Sequence, residues 1–226
     1  MALKKGDIWL GLVVFASVTT AGLVIYFSLR NKDDKKAQNT SSSTKNNDGK
    51  IKSILFIGDS NTAANYSYAD QLKKMYPNIK IKKIAKVGEK TDWMKTQLIN
   101  ELNSNNYDLV AVLGGSNDIY ALGKNDSAKR NLNDMYDLIH SKGAKVLAVT
   151  PPNKDFYVKK TEQKQKALFD LVDWMKGNKK IDYLVDFHNI TADKKFFSAN
   201  DGYLHANSSA HKILTDNVIK QKINLA

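Results

Sequence analysis

Apolar and polar residues follow two alternating patterns along residues 51–226. Five short runs rich in β-branched and aliphatic residues have the length of buried strands. The stretches between them carry apolar residues at helical spacing; in the last one, Ala210, Leu214 and Val218 share a face. Strands that alternate with helices predict a three-layer α/β/α fold with a central, mostly parallel five-stranded sheet. The predicted strands are 51–57, 79–84, 109–113, 145–149 and 181–185, and the predicted helices are about 68–75, 93–104, 127–142, 161–176 and 208–223.

An uncharged apolar segment, residues 8–29, follows a short N-terminal tail, residues 1–7. At about 1.5 Å rise per residue, a helix of this length crosses a hydrocarbon core of about 30 Å. Trp9 and Tyr26 lie near its two ends, where aromatic residues suit the membrane interface. A cleaved signal peptide is the alternative, but its apolar stretch is shorter and needs a small-residue cleavage site, which is missing before Arg30. We therefore predict a transmembrane anchor.

The segment after the anchor, residues 30–50, is polar and rich in Asn, Ser and Thr, which predicts a flexible linker to a domain at 51–226. Two lysines precede the anchor and four basic residues follow it. This count of basic residues favours a cytoplasmic location for the domain. Against that, long domains can be translocated despite nearby charge. We predict a single-pass protein whose domain is extracytoplasmic.

The domain is basic, with 27 Lys and Arg against 19 Asp and Glu. The lysines are scattered, and no aromatic platform or nucleic-acid motif accompanies them, so a nucleic-acid partner is not predicted. The chain has no cysteine, which excludes disulfides and a thiol nucleophile. Neither metal-ligand spacing nor a phosphate-binding glycine loop is present, and no cofactor is predicted.

Four polar motifs lie where predicted strands end or the last helix begins. They are Gly58-Asp59-Ser60, Gly88, Gly114-Gly115-Ser116-Asn117-Asp118 and Asp201-Gly202-Tyr203-Leu204-His205. The carboxyl edge of a parallel sheet is where such folds gather an active site. Each motif alone is also compatible with an ordinary turn, because Gly, Asp, Asn and Ser are common turn residues.

The order of these motifs resembles that of the SGNH (GDSL-type) hydrolase family over the whole of residues 51–226. The resemblance implies a flavodoxin-like fold with Ser60 as nucleophile, His205 as general base and Asp201 as the acid that orients the base. It also implies an oxyanion hole formed by Ser60, Gly88 and Asn117. These residue types suit their roles, because a serine hydroxyl needs an adjacent base and an oxyanion needs preoriented donors.

The spacing of the acid departs from the family pattern. The family usually has the acid three residues before the histidine, where this chain has Gly202, while Asp201 is four residues before His205. One extra loop residue could bulge and leave the carboxylate within reach. Alternatively, a backbone carbonyl orients His205.

The resemblance implies a serine esterase that hydrolyses small O-acyl esters through an acyl-serine intermediate, and the predicted anchor makes it a membrane-anchored enzyme. The substrates usual in this family, together with the predicted anchor, suggest O-acetyl groups on a carbohydrate of the cell envelope as the substrate. One alternative is a lipid esterase of lysophospholipase type, since the anchor would hold the site near a bilayer. Another is a non-catalytic, tethered binding or structural module.

Overall fold

The computed structural model describes residues 49–226, which form five strands with helices between them. The strands are β1 (Ser53–Gly58), β2 (Lys80–Ala85), β3 (Leu109–Leu113), β4 (Lys145–Val149) and β5 (Tyr183–Val185). The helices are α1 (Ser60–Ala63), α2 (Tyr68–Met75), α3 (Thr91–Ser104), α4 (Ser116–Leu122), α5 (Asp126–Ser141), α6 (Glu162–Gly177), α7 (Phe187–Ile190) and α8 (Ser208–Lys220). Two 3-10 turns, Lys194–Phe196 and Ala199–Asp201, lie between α7 and α8.

The predicted anchor, residues 8–29, the N-terminal tail and nearly all of the linker lie outside the described residues, and these assignments stay predictions. Within residues 49–226, no helix has both the length and the apolar character needed to cross a membrane.

The predicted strands and long helices are all present, with ends that differ by up to three residues. The last helix ends at Lys220 rather than at residue 223, because Lys222 takes a positive φ of 56° that no α-helix continues. Sequence periodicity missed α1, α4 and α7, which have seven residues or fewer. Such short helices do not repeat an apolar face often enough to be recognised.

All strand pairs in the sheet are parallel, in the order β2-β1-β3-β4-β5. The last residue of β1, Gly58, is level with Ala85 of β2 and with Leu113 of β3. The carboxyl ends of β2, β1 and β3 are therefore level with one another at the same edge of the sheet.

Both faces of the sheet are buried, as the alternation along β1 illustrates. Leu55 and Ile57 pack on the side covered by α3, α5 and α6. Ile54 and Phe56 pack on the other side, under α2 and α8. Strands buried on both faces have continuous apolar sequences, which is why the inner strands β1, β3 and β4 could be predicted from the sequence. This confirms the predicted three-layer architecture.

A fully buried histidine lies in the second of these cores. His211 of α8 stacks on Tyr68 at 6.3 Å and lies 5.4 Å from Phe187, measured between ring centroids. Neither ring nitrogen has a hydrogen-bond partner within residues 49–226. Burial lowers the pKa of His211 to about 4, although Asp70 opposes the shift. The folded state therefore favours the neutral ring.

We expect His211 to weaken the fold as pH falls. In the unfolded chain this side chain binds a proton below about pH 6.5, whereas the folded protein binds it only near pH 4. The free energy of unfolding should therefore decrease between these values, by on the order of 3 kcal/mol from this residue. Urea denaturation between pH 4 and 7 should show a smaller acid loss for His211→Phe than for the wild type. Parallel curves for the two proteins would contradict this assignment.

Candidate active site

Ser60 lies directly after β1, at the start of α1. Its neighbour Asp59 caps α1, because its Oδ1 accepts the backbone N–H of Asn61 at 2.9 Å. The turn is tight: a Cβ on Gly58 would lie 2.8 Å from the carbonyl oxygen of Leu113 and would also collide with Thr62. Glycine is therefore required sterically at position 58. The turn leaves the Ser60 side chain half-buried at the strand edge.

His205 and Asp201 form a hydrogen-bonded pair in the segment before α8. His205 Nδ1 lies 2.7 Å from Asp201 Oδ2. The same carboxylate accepts the backbone N–H groups of Leu204, at 3.0 Å, and His205, at 3.3 Å. No backbone carbonyl of the described residues accepts a hydrogen bond from the His205 ring. The sequence left open whether a carboxylate or a backbone carbonyl orients His205. In the structure, the group in contact with the ring is the carboxylate of Asp201.

Two successive left-handed residues explain how the longer spacing is accommodated. Gly202 has φ of 68° and Tyr203 has φ of 63°. This conformation turns the chain back between Asp201 and His205, and the turn is closed by a hydrogen bond from Tyr203 N to Ser198 O at 2.9 Å. Tyrosine rarely adopts a positive φ, so the backbone of this segment is strained and needs contacts with its surroundings to keep this conformation.

The environment of Asp201 favours its ionised form. Partial burial raises the pKa of this carboxyl group, but hydrogen bonds from the His205 ring and the Leu204 N–H outweigh that effect, and the pKa is lowered overall. An ionised carboxylate accepts the Nδ1–H of a neutral imidazole. Nε2 is then left as an acceptor, and no described residue hydrogen-bonds to it.

Gly88 and Asn117 approach Ser60 from the neighbouring strand ends. Gly88 lies in the turn after β2, and its N–H has no hydrogen-bond partner among residues 49–226. Asn117, in the first turn of α4, donates through Nδ2 to the carbonyl oxygen of Glu89 at 2.8 Å. This contact uses one of the two amide protons and leaves the second for a ligand.

A buried carboxylate joins the same two segments, and sequence reasoning missed it. Asp118 accepts the backbone N–H of Thr91 at 3.0 Å and its hydroxyl at 2.7 Å. Burial raises the pKa of Asp118, while these Thr91 bonds lower it in part. Together with the contact between Asn117 and Glu89, this network holds the Gly88 turn against α4.

Two cavities adjoin Ser60 and His205. The smaller, of about 190 Å³, also contacts Gly88 and Asn117 and is lined by Tyr120, Tyr157 and the buried Lys154. The larger, of about 340 Å³, is more open and contacts Asp201 and Tyr66. The five residues that the sequence singled out are thus gathered at one place. Lys154, Tyr120 and Tyr157 were missed, because they lie in segments with no motif.

Comparison with known proteins agrees with this arrangement. Residues 56–213 match the GDSL-like lipase/acylhydrolase family. The chain belongs to that family. Its members hydrolyse ester bonds, and the chain is an ester hydrolase. The predicted resemblance is confirmed, and no curated protein sequence matches the chain.

Solved structures share the fold at low sequence identity. A member of the lipolytic G-D-S-L family from Veillonella parvula has a TM-score of 0.65 and 14% identity, covering 74% of this chain and 96% of its own. A lipase/acylhydrolase from Enterococcus faecalis has a TM-score of 0.59 and 20% identity, covering 75% and 94%. A catalytic mutant of an acetylxylan esterase from Geobacillus stearothermophilus has a TM-score of 0.59 and 15% identity, covering 75% and 93%.

We expect Asp201→Asn to lower the turnover number by up to about 10⁴-fold, because an amide no longer selects the tautomer with a proton on Nδ1. The asparagine oxygen can still accept the Leu204 N–H, so thermal unfolding should change little. Steady-state kinetics with a short-chain ester checks this, with Asp193→Asn in the same segment as the control. A loss below tenfold would show that Asp201 does not orient the base.

Proposed function

We propose that the chain is a membrane-anchored serine esterase that removes small O-acyl groups, such as acetyl, from a carbohydrate. The observation that carries the chemistry is the 2.7 Å contact between His205 Nδ1 and Asp201 Oδ2 beside a cavity shared with Ser60. A base held in one tautomer next to a serine at a strand end is the arrangement needed to activate a hydroxyl.

The reaction proceeds through an acyl-serine intermediate. Ser60 Oγ attacks the ester carbonyl while His205 Nε2 takes its proton, and the resulting imidazolium is stabilised by Asp201. The oxyanion is received by the N–H groups of Ser60 and Gly88 and by Nδ2 of Asn117. His205 then gives the proton to the leaving alkoxide. Water, activated by His205, releases the acyl group and restores Ser60.

The sizes of the two cavities support a small acyl group. The 190 Å³ cavity contains the oxyanion donors, so the acyl group occupies it. Tyr120 and Tyr157, whose ring centroids are 5.3 Å apart, line this space, and its modest volume favours a short acyl group. The open 340 Å³ cavity takes the alcohol portion, with Tyr66 as an aromatic wall suited to a sugar ring. The acetylxylan esterase neighbour acts on such a substrate class and supports this choice.

The rival lipid-ester activity has one observation in its favour. Val87, which contacts both cavities, is 68% exposed, and Val158 is 69% exposed. Exposed apolar side chains beside a site suit contact with an amphiphile. A lipid esterase would have to place its long acyl chain in the open cavity, so acyl-chain preference separates the two proposals.

We expect the wild type to hydrolyse acetyl esters faster than octanoyl esters. Ser60→Ala should lower the turnover number by about 10⁴-fold or more, because it removes the nucleophile. A phosphonate should label Ser60 and leave Ser116 unlabelled, as peptide mass spectrometry can determine. Full activity in Ser60→Ala would exclude this serine as the nucleophile, and preference for octanoyl esters would favour the lipid substrate.

The anchor and its orientation are part of the same proposal. The uncharged 22-residue segment 8–29 supports a membrane span. We expect the full chain to stay in the membrane fraction after a high-salt wash, whereas a truncated chain beginning at Asn47 should be soluble and active. Protease added to intact cells should digest the domain if it is extracytoplasmic. Recovery of a soluble chain trimmed after residue 29 would instead indicate a signal peptide.

A further inference from the structure

A buried lysine lies at the centre of the site. Lys154 belongs to the segment between β4 and α6, and only 3% of its surface is exposed. Lysine is almost never buried so completely unless its charge is compensated. Its Nζ donates to the main-chain carbonyl of Leu204. This carbonyl is a neutral partner, and Lys154 forms no salt bridge with any residue of the described range.

The carbonyl that Lys154 contacts belongs to the residue next to the general base. Leu204 directly precedes His205, and its N–H is bonded to Asp201. The peptide segment that carries the base is therefore held from one end by Asp201 and from the other by Lys154. Because Tyr203 in this segment has a strained positive φ, the segment needs such external contacts to keep one conformation.

The same ammonium group also acts on the nucleophile turn. Asp59, which caps the helix that begins with Ser60, is fully buried, and burial raises its pKa. The positive charge of Lys154 opposes this shift. An ionised Asp59 is the better acceptor for Asn61 N–H, so the charge of Lys154 supports the cap that presents Ser60.

We propose that Lys154 is a positioning residue, whose buried ammonium group braces the His205 segment through Leu204 and the Ser60 turn through Asp59. The inference rests on the proposed function, because it concerns the alignment of the same base and nucleophile. A hydrophobic side chain of similar length could fill the space but could neither donate to the carbonyl nor supply the charge.

The pH dependence follows from the surroundings of Lys154. Asp59 faces it from the start of α1 and Asp201 from the segment before α8; His205, Tyr120 and Tyr157 adjoin the same cavity. Burial lowers the pKa of Lys154 to about 8, although the two carboxylates oppose the shift. The lysine therefore loses its charge at mildly alkaline pH. Tyr120 does not titrate there, because burial raises its pKa to about 12.

The test compares Lys154→Met with Lys160→Met in the full chain. Lys160 is a matched control, because it lies in the same segment and also donates to a backbone carbonyl, that of Asp155, but is exposed. Lys154→Met should lower the turnover number for an acetyl ester by about 10- to 100-fold with little change in KM, as misalignment of a base does. Lys160→Met should retain wild-type turnover.

Two further measurements separate positioning from simple packing. The wild-type turnover number should fall above about pH 8, and this alkaline loss should disappear in Lys154→Arg, which keeps its charge. Thermal unfolding of Lys154→Met should not be weakened in proportion to its turnover, because removal of a buried charge relieves a desolvation cost. Wild-type turnover in Lys154→Met, or a wild-type profile that rises steadily to pH 10, would overturn the proposal.

A spectroscopic readout keeps this inference distinct from the proposed function. The Nδ1–H proton of His205, bonded to Asp201, should give a low-field proton resonance in the wild type. That resonance should shift or broaden in Lys154→Met and be unchanged in Lys160→Met. If the wild type hydrolysed no acetyl ester, the proposed function would fail, while this resonance would still decide whether Lys154 positions the ring. An unchanged resonance in Lys154→Met would contradict the inference.

Discussion

The site depends on the pairing of three parallel strands whose ends are level. Gly58 of β1 pairs with Ala85 on one side and with Leu113 on the other. β1 and β3 are buried on both faces, so a slip in their register would expose apolar residues. β2 lies at the edge of the sheet and is aligned by its pairing with β1. The three turns that follow then emerge side by side, and Ser60, Gly88 and Asn117 are brought together without any direct bond between them.

Polar contacts across the edge of the sheet convert this coarse alignment into a defined site. Asn117 and Asp118, adjacent on α4, reach Glu89 within the β2–α3 turn and Thr91 at the start of α3. The turn that carries Gly88 is thus tied to the helix that carries Asn117. Preoriented donors stabilise a developing charge because they need no reorganisation when it appears. The carboxylate of Asp118 therefore helps to hold the Gly88 turn in place, although its burial costs desolvation free energy.

The sequence predicted the sheet, the long helices and the motifs because each has a local signature. Continuous apolar runs mark buried strands, and short polar motifs mark their exits. The positions of Lys154 and Asp118 had no such signature, since their partners are 50 and 27 residues away. The reach of Asp201 to His205 was undecided for a related reason. It depends on a positive φ at Tyr203, which residue preferences disfavour and which only the surrounding contacts make tolerable.

Buried ionisable groups are concentrated at this one edge of the molecule, together with one of the two non-glycine residues of the described range that have a positive φ. Asp59, Asp118 and Lys154 are all nearly inaccessible to solvent, and Tyr203 is strained beside them. Elsewhere the described core is built mainly from aliphatic and aromatic packing, which carries no such cost. Departures from local stability rules are expected where a protein must hold reactive groups in place. The large two-sided core is what allows the edge to tolerate them, because its burial energy offsets the desolvation of the charges.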